Sequence, residues 1–360
     1  MEYIQYLSIY DVSSMLYAGE LAKSSSGSMN FMGESRTISG VPIGGVRNVL
    51  RNYMHDMFQH TAVLLVFDSK TDKQKLFSEY KSTRERMPKI YVQQLLLLDV
   101  VKRLGLPFMK VDSFEADDLI HAAVMHYFPY VGNMSIYSGD TDIAANLIKD
   151  QITFRGTASI YPTFDMHNYS QNIKKGCVIP YNAILPYYMF FGKASNNVPA
   201  FSSTGTNKEL FNQFLEFCTN SGITAGMWSD SSTFAAWLLN CMEQGSLAKD
   251  VIEKLFTRMS YVFPKPYEGE IPETFKYLDD LNRDDLAFFL KMFNMDTLMQ
   301  NLQMDNLILA PKTPAMYSFI DQYKIIYQDG CLAVDNDMSP DDSLFSGLEQ
   351  ETTVFDAEDF

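Results

Sequence analysis

The chain reads as an α/β protein, with a mainly parallel central sheet flanked by helices, a helical C-terminal region and an acidic tail. Three observations predict this. Continuous apolar runs of strand length recur in the first half, as expected for strands buried on both faces. Segments with apolar residues at helical spacing alternate with them, the pattern of parallel βαβ units. From residue 207 to about 310 the spacing becomes almost wholly helical.

IQYLSIYDVSS (4–14) is a short apolar strand ending at Asp11 and small hydroxyl residues, and TAVLLVFDSK (61–70) repeats the arrangement with Asp68. Between them, Val46, Val49, Leu50, Tyr53, Met54 and Met57 recur at helical spacing, predicting a helix over 41–59. KIYVQQLLLLDVVKRLG (89–105) predicts a helix stopped by Gly105 and Pro107. LPFMKVDS then predicts a short strand, FEADDLIHAAVMHYF a helix, and MSIYSGDTDIAANLI (134–148) a strand, a turn and a helix. The stretch 150–200 reads as strands and turns. Helices resume in NKELFNQFLEFC, STFAAWLLNCMEQ, AKDVIEKLFTRM and DDLAFFLKMFNMDTLMQNL, interrupted by the proline-rich PKPYEGEIPE (264–273). The expected division is an α/β core over 1–200, a helical region over 201–330 and an acidic, disordered tail over 331–360.

The length of 360 residues and the 46% apolar content suffice for a large core. Four cysteines, far apart and without CxxC spacing, read as reduced thiols of a cytosolic protein. The N-terminus has neither the basic region nor the apolar segment of a signal peptide. No apolar run approaches the ~20 residues of a membrane span. The net charge of −15 argues against nucleic acid until its distribution is considered. Residues 331–360 hold nine acids and no lysine or arginine, leaving 35 acids against 29 bases elsewhere. Local charge decides the matter, and the basic segment is 70–89, with Lys70, Lys73, Lys75, Lys81, Arg84, Arg86 and Lys89 against Asp72, Glu79 and Glu85. It reads either as a phosphate-contacting surface or as a solvated helix face.

In parallel α/β sheets, ligands bind outside the carboxyl ends of the strands. Asp11, Asp68, Glu115, Asp117, Asp118, Asp140 and Asp142 would all emerge there, from four separate segments. Asp118 or Asp142 alone could be a helix cap. Seven converging carboxylates repel one another and raise each other's pKa values unless cations share the space. Mg²⁺ takes such oxygen ligands, and two ions ~4 Å apart can activate water and stabilise the leaving oxygen in phosphodiester hydrolysis. His121 and His126 lack zinc-ligand spacing. KSSSGS (23–28) reads as a loop, and no P-loop or nucleophile elbow occurs.

FEADDLIHAAV, followed about twenty residues on by IYSGDTDIAANL, resembles the 5′-nuclease superfamily of flap endonucleases, polymerase-associated 5′–3′ exonucleases and phage RNase H enzymes. VFDSKTDKQKLFSEYKSTRERMP strengthens the likeness, which spans roughly residues 4–200. It places Tyr80, Lys81 and Arg84 as a Tyr-Lys-x-x-Arg element in a basic arch over 70–90, with Arg86 nearby. The resemblance implies a PIN/5′-nuclease-like fold. It implies a first Mg²⁺ on Asp11, Asp68, Glu115 and Asp117, a second on Asp118, Asp140 and Asp142, and Mn²⁺ as a substitute. Lys81 and Arg84 would be catalytic at the scissile phosphate. Tyr80, Arg86 and Lys208 would join Lys81 and Arg84 in binding nucleic acid, and Lys193, where the family pattern breaks, would join them by stabilising the phosphate in place of metal. The implied substrates are branched or 5′-ended DNA or RNA–DNA duplexes in replication. The expected compartment is the cytoplasm, the host's if the chain is phage-encoded.

The family pattern breaks at Gly192-Lys193-Ala194-Ser195-Asn196-Asn197-Val198-Pro199, where Lys193 and Asn196 stand in place of two further acids. This predicts one tight ion and a weak second. It also keeps open a catalytically weakened homologue that acts as a branched-DNA or replisome-binding factor. STGTNKELFN (203–212), with Lys208, loosely matches the family's helix–turn–helix. TTVFDAEDF (352–360) resembles the clamp-binding C-terminal peptides of phage replication proteins, so a sliding clamp is an expected partner through 350–360; the competing reading is a solubilising tail.

Overall fold

The structure, a computed structural model, describes residues 2–21, 29–31, 34–36, 44–83, 88–156, 163–167, 170–174, 177–293, 295–303, 325–328 and 331–334. Arg84, Arg86, the 23–28 loop and the clamp-like peptide lie outside the described residues.

Six strands form the central sheet: β1 (Ile4–Asp11), β2 (Ala62–Val66), β3 (Phe108–Met109), β4 (Val131–Tyr137), β5 (Ile152–Arg155) and β6 (Thr163–Phe164). Their order is β3-β2-β1-β4-β5-β6. β1 pairs with β4 in parallel from Ile4↔Val131 to Tyr10↔Tyr137, and β4 pairs in parallel with β5. β5 pairs with β6 antiparallel, Phe154 opposite Phe164. Every side chain of β2 is buried, as its unbroken Ala-Val-Leu-Leu-Val run requires of a strand covered on both faces. The expected α/β class is what the chain adopts.

Contacts group the chain into two compact units, one of Met1–Asp11, Leu65–Arg86 and Met109–Ile271, the other of Val12–Leu64, Met87–Phe108 and Pro272–Phe360. In the second, helices α1 (Val12–Leu21), α2 (Gly44–Phe58) and α4 (Pro88–Leu104) pack together. A Cβ on Gly45 would sit 2.6 Å from the Leu16 carbonyl, so glycine permits the close approach of α1 and α2. The first N–H groups of α2 are satisfied by Gln93 Oε1 of α4, which accepts from Gly45 N at 2.6 Å and Val46 N at 3.2 Å. Gly105, with φ +64°, ends α4 as the sequence predicts.

The first unit holds the short α3 (Lys73–Leu76), α5 (Ala116–Tyr127), α6 (Ile184–Phe191), α7 (Thr204–Asn220), α8 (Ser231–Gln244) and α9 (Lys249–Val262). Phe190, Phe214, Phe234, Trp237 and Phe263 build its aromatic core, with ring centroids 5.2–5.8 Å apart in the closest pairs.

Two elements differ from the sequence reading. Residues 184–191, expected among strands and turns, are helical. Ile184 to Phe190 are all buried, and a helix that is apolar on every side has no amphipathic period to betray it. The segment after Asp140 is a 3₁₀ helix, Thr141–Asn146, whose start is held by Asp140 accepting from Asp142 N at 3.1 Å.

Candidate metal and phosphate site

All seven sequence-predicted carboxylates and Lys73, Lys81 and Lys193 belong to the first unit. Asp117, Asp140 and Asp142 each offer a carboxylate oxygen within 4.8 Å of the others, the one group of metal-ligating type and spacing among the described residues. They come from the first turn of α5 and from the turn after β4, both at the carboxyl edge of the sheet. The other four lie around this trio, each held by protein donors. Ser138 Oγ donates to Asp11 Oδ2 at 2.6 Å and accepts from Asp140 N at 3.0 Å, tying the ends of β1 and β4 together. Asp68 Oδ1 accepts from Ala116 N at 2.8 Å, satisfying an open donor at the start of α5.

Glu115 and Asp118 are fastened more tightly. Lys73, with 5% of its side chain exposed, lies 2.9 Å from Glu115 Oε2 and 2.8 Å from Asp118 Oδ1. Lys81 Nζ pairs with Glu115 Oε1, and Tyr80 Oη donates to Glu115 Oε2 at 3.0 Å. Burial alone would raise the Glu115 carboxyl, but Lys81 and Lys73 outweigh it and hold the group well below the carboxylate range. Burial likewise opposes the Lys73 ammonium, yet Glu115 and Asp118 keep it charged. Asp118 also accepts from Glu115 N at 3.0 Å and, through Oδ1, from Lys265 N at 2.7 Å. Both its oxygens are thus engaged, and the structure does not bring it into the trio. Asp118 is instead the residue that locks the entry of α5.

Tyr80, expected at the nucleic acid, is 3% exposed and packs with Val198, Tyr261, Phe77 and Val262. Its ring supports Lys81, whose Nζ lies 5.2 Å from the ring centroid. Lys73 was not singled out by sequence, and nothing local distinguishes it from Lys70 or Lys75; only the long-range pairing with Glu115 and Asp118 does. Lys208 is exposed on α7, four positions from its N-terminal end, while Asn207 beside it is buried and exchanges hydrogen bonds with the Ser202 backbone. His121 Nδ1 bonds Asn146 Oδ1 at 2.8 Å.

Lys193 enters the trio. Its Nζ is 3.1 Å from Asp140 Oδ1 and also pairs with Asp142 Oδ2. Burial would lower its pKa, but Asp142 and Asp140 raise it above the ordinary lysine value. Asn196 is buried, and its carbonyl accepts from Lys81 N at 3.0 Å. Asn197 Nδ2 donates to Glu79 O and Ser82 Oγ, each at 3.0 Å, pinning this turn to the basic segment.

The donor set suits a hard divalent cation, since every ligand is an oxygen. Two further observations fit. Asp142 Oδ1 is buried without a hydrogen-bond partner. Burial, then the neighbouring Asp140, pushes the Asp142 carboxyl up to about 6 despite Lys193, and burial and Asp140 likewise raise Asp117. Two acids raised by burial and by the neighbouring Asp140, beside an orphaned buried oxygen, form a donor set that fits a divalent cation.

The carboxyl edge is thus lined by acids with lysines inserted among them. Residues 12–174 match the family described as "5′-3′ exonuclease, N-terminal resolvase-like domain". Over 179 residues the chain is 26% identical to a 5′-3′ exonuclease of Buchnera aphidicola subsp. Acyrthosiphon pisum, covering 48% of this chain and 60% of that one. Over 148 residues it is 30% identical to the 5′-3′ exonuclease of Aquifex aeolicus, covering 40% and 48%. DNA polymerase I of Pseudomonas aeruginosa is 28% identical over 179 residues, 48% of this chain and 19% of the polymerase. The matches with the exonucleases therefore span about half to three fifths of those relatives' own length. Among solved structures, flap endonuclease-1 from Methanococcus jannaschii aligns with TM-score 0.47 at 12% identity, covering 88% and 93% of the two chains. The D15 flap endonuclease of bacteriophage T5 aligns with TM-score 0.45 at 13% identity, covering 72% and 99%. Over residues 12–174 the chain is thus similar in sequence to the N-terminal domain of 5′-3′ exonucleases.

Proposed function

We propose that the chain is a divalent-cation-dependent 5′–3′ exonuclease or flap endonuclease, acting in replication on 5′ ends of DNA or RNA–DNA duplexes. The observation that carries this is the Asp117–Asp140–Asp142 trio beside Lys81 and Lys193. Asp117, Asp140 and Asp142 would hold Mg²⁺ or Mn²⁺, with Asp11, Asp68 and Glu115 completing the anionic frame and Asp118 positioning α5. The bound ion supplies charge stabilisation and an acidified water for phosphodiester hydrolysis. Lys81, held over the Tyr80 ring, would donate to a non-bridging phosphate oxygen, exchanging its bond to Glu115 for one to substrate. Arg84 and Arg86 would extend this contact along a 5′ strand, and Lys208 would meet the duplex phosphates. The α/β core of residues 1–200 would carry the chemistry, and the helices beyond it the duplex contacts. A sliding clamp would bind residues 350–360, and deletion of that peptide should abolish capture by the clamp.

The test is hydrolysis of a 5′-labelled flap and of an RNA–DNA duplex in Mg²⁺ and in Mn²⁺, with Asp117→Ala as control. Lys193 inside the acid group favours one competing reading, a non-catalytic branched-DNA binder. Retained binding with no cleavage beyond the control would select it.

A further inference from the structure

We propose that Lys193 is a resident cation of this site, standing where a second divalent ion would otherwise bind, so that the chain holds one divalent ion and not two. The inference rests on the metal-dependent reading above.

Lys193 is built into its position. Gly192 precedes it with φ +79°, and a Cβ there would strike the Val198 and Pro199 backbone. Lys193 N donates to Val198 O at 2.8 Å and Val198 N donates back to Lys193 O at 3.0 Å, closing the turn on itself. Asn197 anchors the same turn through its bonds to Glu79 and Ser82. The Lys193 ammonium lies 5.6 Å from the Tyr188 ring centroid, and only 11% of the side chain is exposed. Its aim at Asp140 and Asp142 is therefore set by the backbone, not by a free surface chain choosing among anions.

The ligand supply agrees. Lys193 Nζ engages both oxygens of Asp140, at 3.1 and 3.3 Å, and Oδ2 of Asp142. Asp142 Oδ1 remains buried and unpartnered, next to Asp117. Elsewhere, Glu115 is claimed by Lys73, Lys81 and Tyr80, and Asp118 by Lys73, Glu115 N and Lys265 N. Lys193 thus takes both oxygens of Asp140 and Oδ2 of Asp142, which leaves Asp117 and Asp142 Oδ1 for a single divalent ion. A second divalent ion about 4 Å from a fixed ammonium would bind at least about thirtyfold more weakly, even at the dielectric constant of water.

The experiment is a Mn²⁺ titration of the full chain followed by electron paramagnetic resonance, which counts bound ions and detects spin coupling between two ions ~4 Å apart. The wild-type chain should bind one Mn²⁺ with an uncoupled six-line spectrum. Lys193→Asp should bind two, with a coupled spectrum. Lys193→Arg, which keeps the charge, should remain at one; thermal melts verify that each variant is folded. Two coupled ions in the wild-type chain, or one ion in folded Lys193→Asp, would overturn the proposal, as would no bound Mn²⁺ at millimolar concentration. Flap cleavage measured on the same samples separates the two readings. One bound ion without cleavage sinks the nuclease assignment and leaves the role of Lys193 standing.

Discussion

Replacing Lys73 by methionine removes a buried ammonium and leaves its volume nearly filled. At an effective dielectric constant of about 20, each of its contacts, 2.9 Å to Glu115 and 2.8 Å to Asp118, is worth about 6 kcal/mol before desolvation. Desolvation offsets most of that, and removing one partner of a buried pair costs about 3–5 kcal/mol net. Here the acids keep other donors: Lys81 and Tyr80 for Glu115, Lys265 N and Glu115 N for Asp118. The lower end, about 3 kcal/mol, is therefore expected for Lys73→Met. Urea melts followed by circular dichroism measure it, provided the slope is unchanged. Asp118→Asn closes a double-mutant cycle, with a coupling of about 1–3 kcal/mol expected for groups in direct contact. A loss below about 1 kcal/mol, or strict additivity, would refute the reasoning that Lys73 is the internal counter-ion of α5.

Three more outcomes follow from the same geometry. Asp142 titrates near 6 in the folded chain against 3.8 ordinarily, so its protonated form contributes stability below pH ~4 that is lost as pH rises through about 6. Divalent ions need the ionised form, so the rise in melting temperature on adding Mn²⁺ should be small at pH 5 and larger at pH 7.5; a pH-independent rise would contradict this. Gly192→Ala, at φ +79° and ψ 171° with backbone across the turn, should cost at least about 2 kcal/mol in urea melts, and a neutral result would mean the turn is not rigid. Tyr80→Phe deletes the donor to buried Glu115 and should cost about 1.5–3 kcal/mol with the fold retained.

The strands and helices α2, α4 and α5 were legible because each carries its period or its unbroken apolar run on its surface. So were the acids, since a strand-end aspartate in a parallel sheet has one place to go. Helix α6 was not, because burial on all sides erases the pattern that burial on one side leaves. The division of labour within the acidic set was also hidden. Asp117 and Asp118 are adjacent in sequence, yet the helix turns one toward Asp140 and the other toward Lys73 and the Lys265 backbone. Ser138, which joins Asp11 to the Asp140 backbone, gave no signal beyond its place before the turn. Lys193 was visible as an anomaly of composition, but its grip on both Asp140 and Asp142 depends on a turn closed by Gly192 and Val198. Pairings of this kind span 45 to 147 positions, as in Lys73–Asp118 and Lys265–Asp118, and no local window contains them.

The most direct measurement is single-turnover cleavage of a 5′ flap by the wild-type chain and Asp117→Ala, in Mg²⁺ and with the ion chelated. Cleavage that requires the ion and falls by about a thousandfold in folded Asp117→Ala is expected, in line with the several kcal/mol a catalytic ion contributes. Cleavage that survives chelation, or that is equal in the two proteins, would contradict the assignment of this carboxylate edge as the catalytic centre.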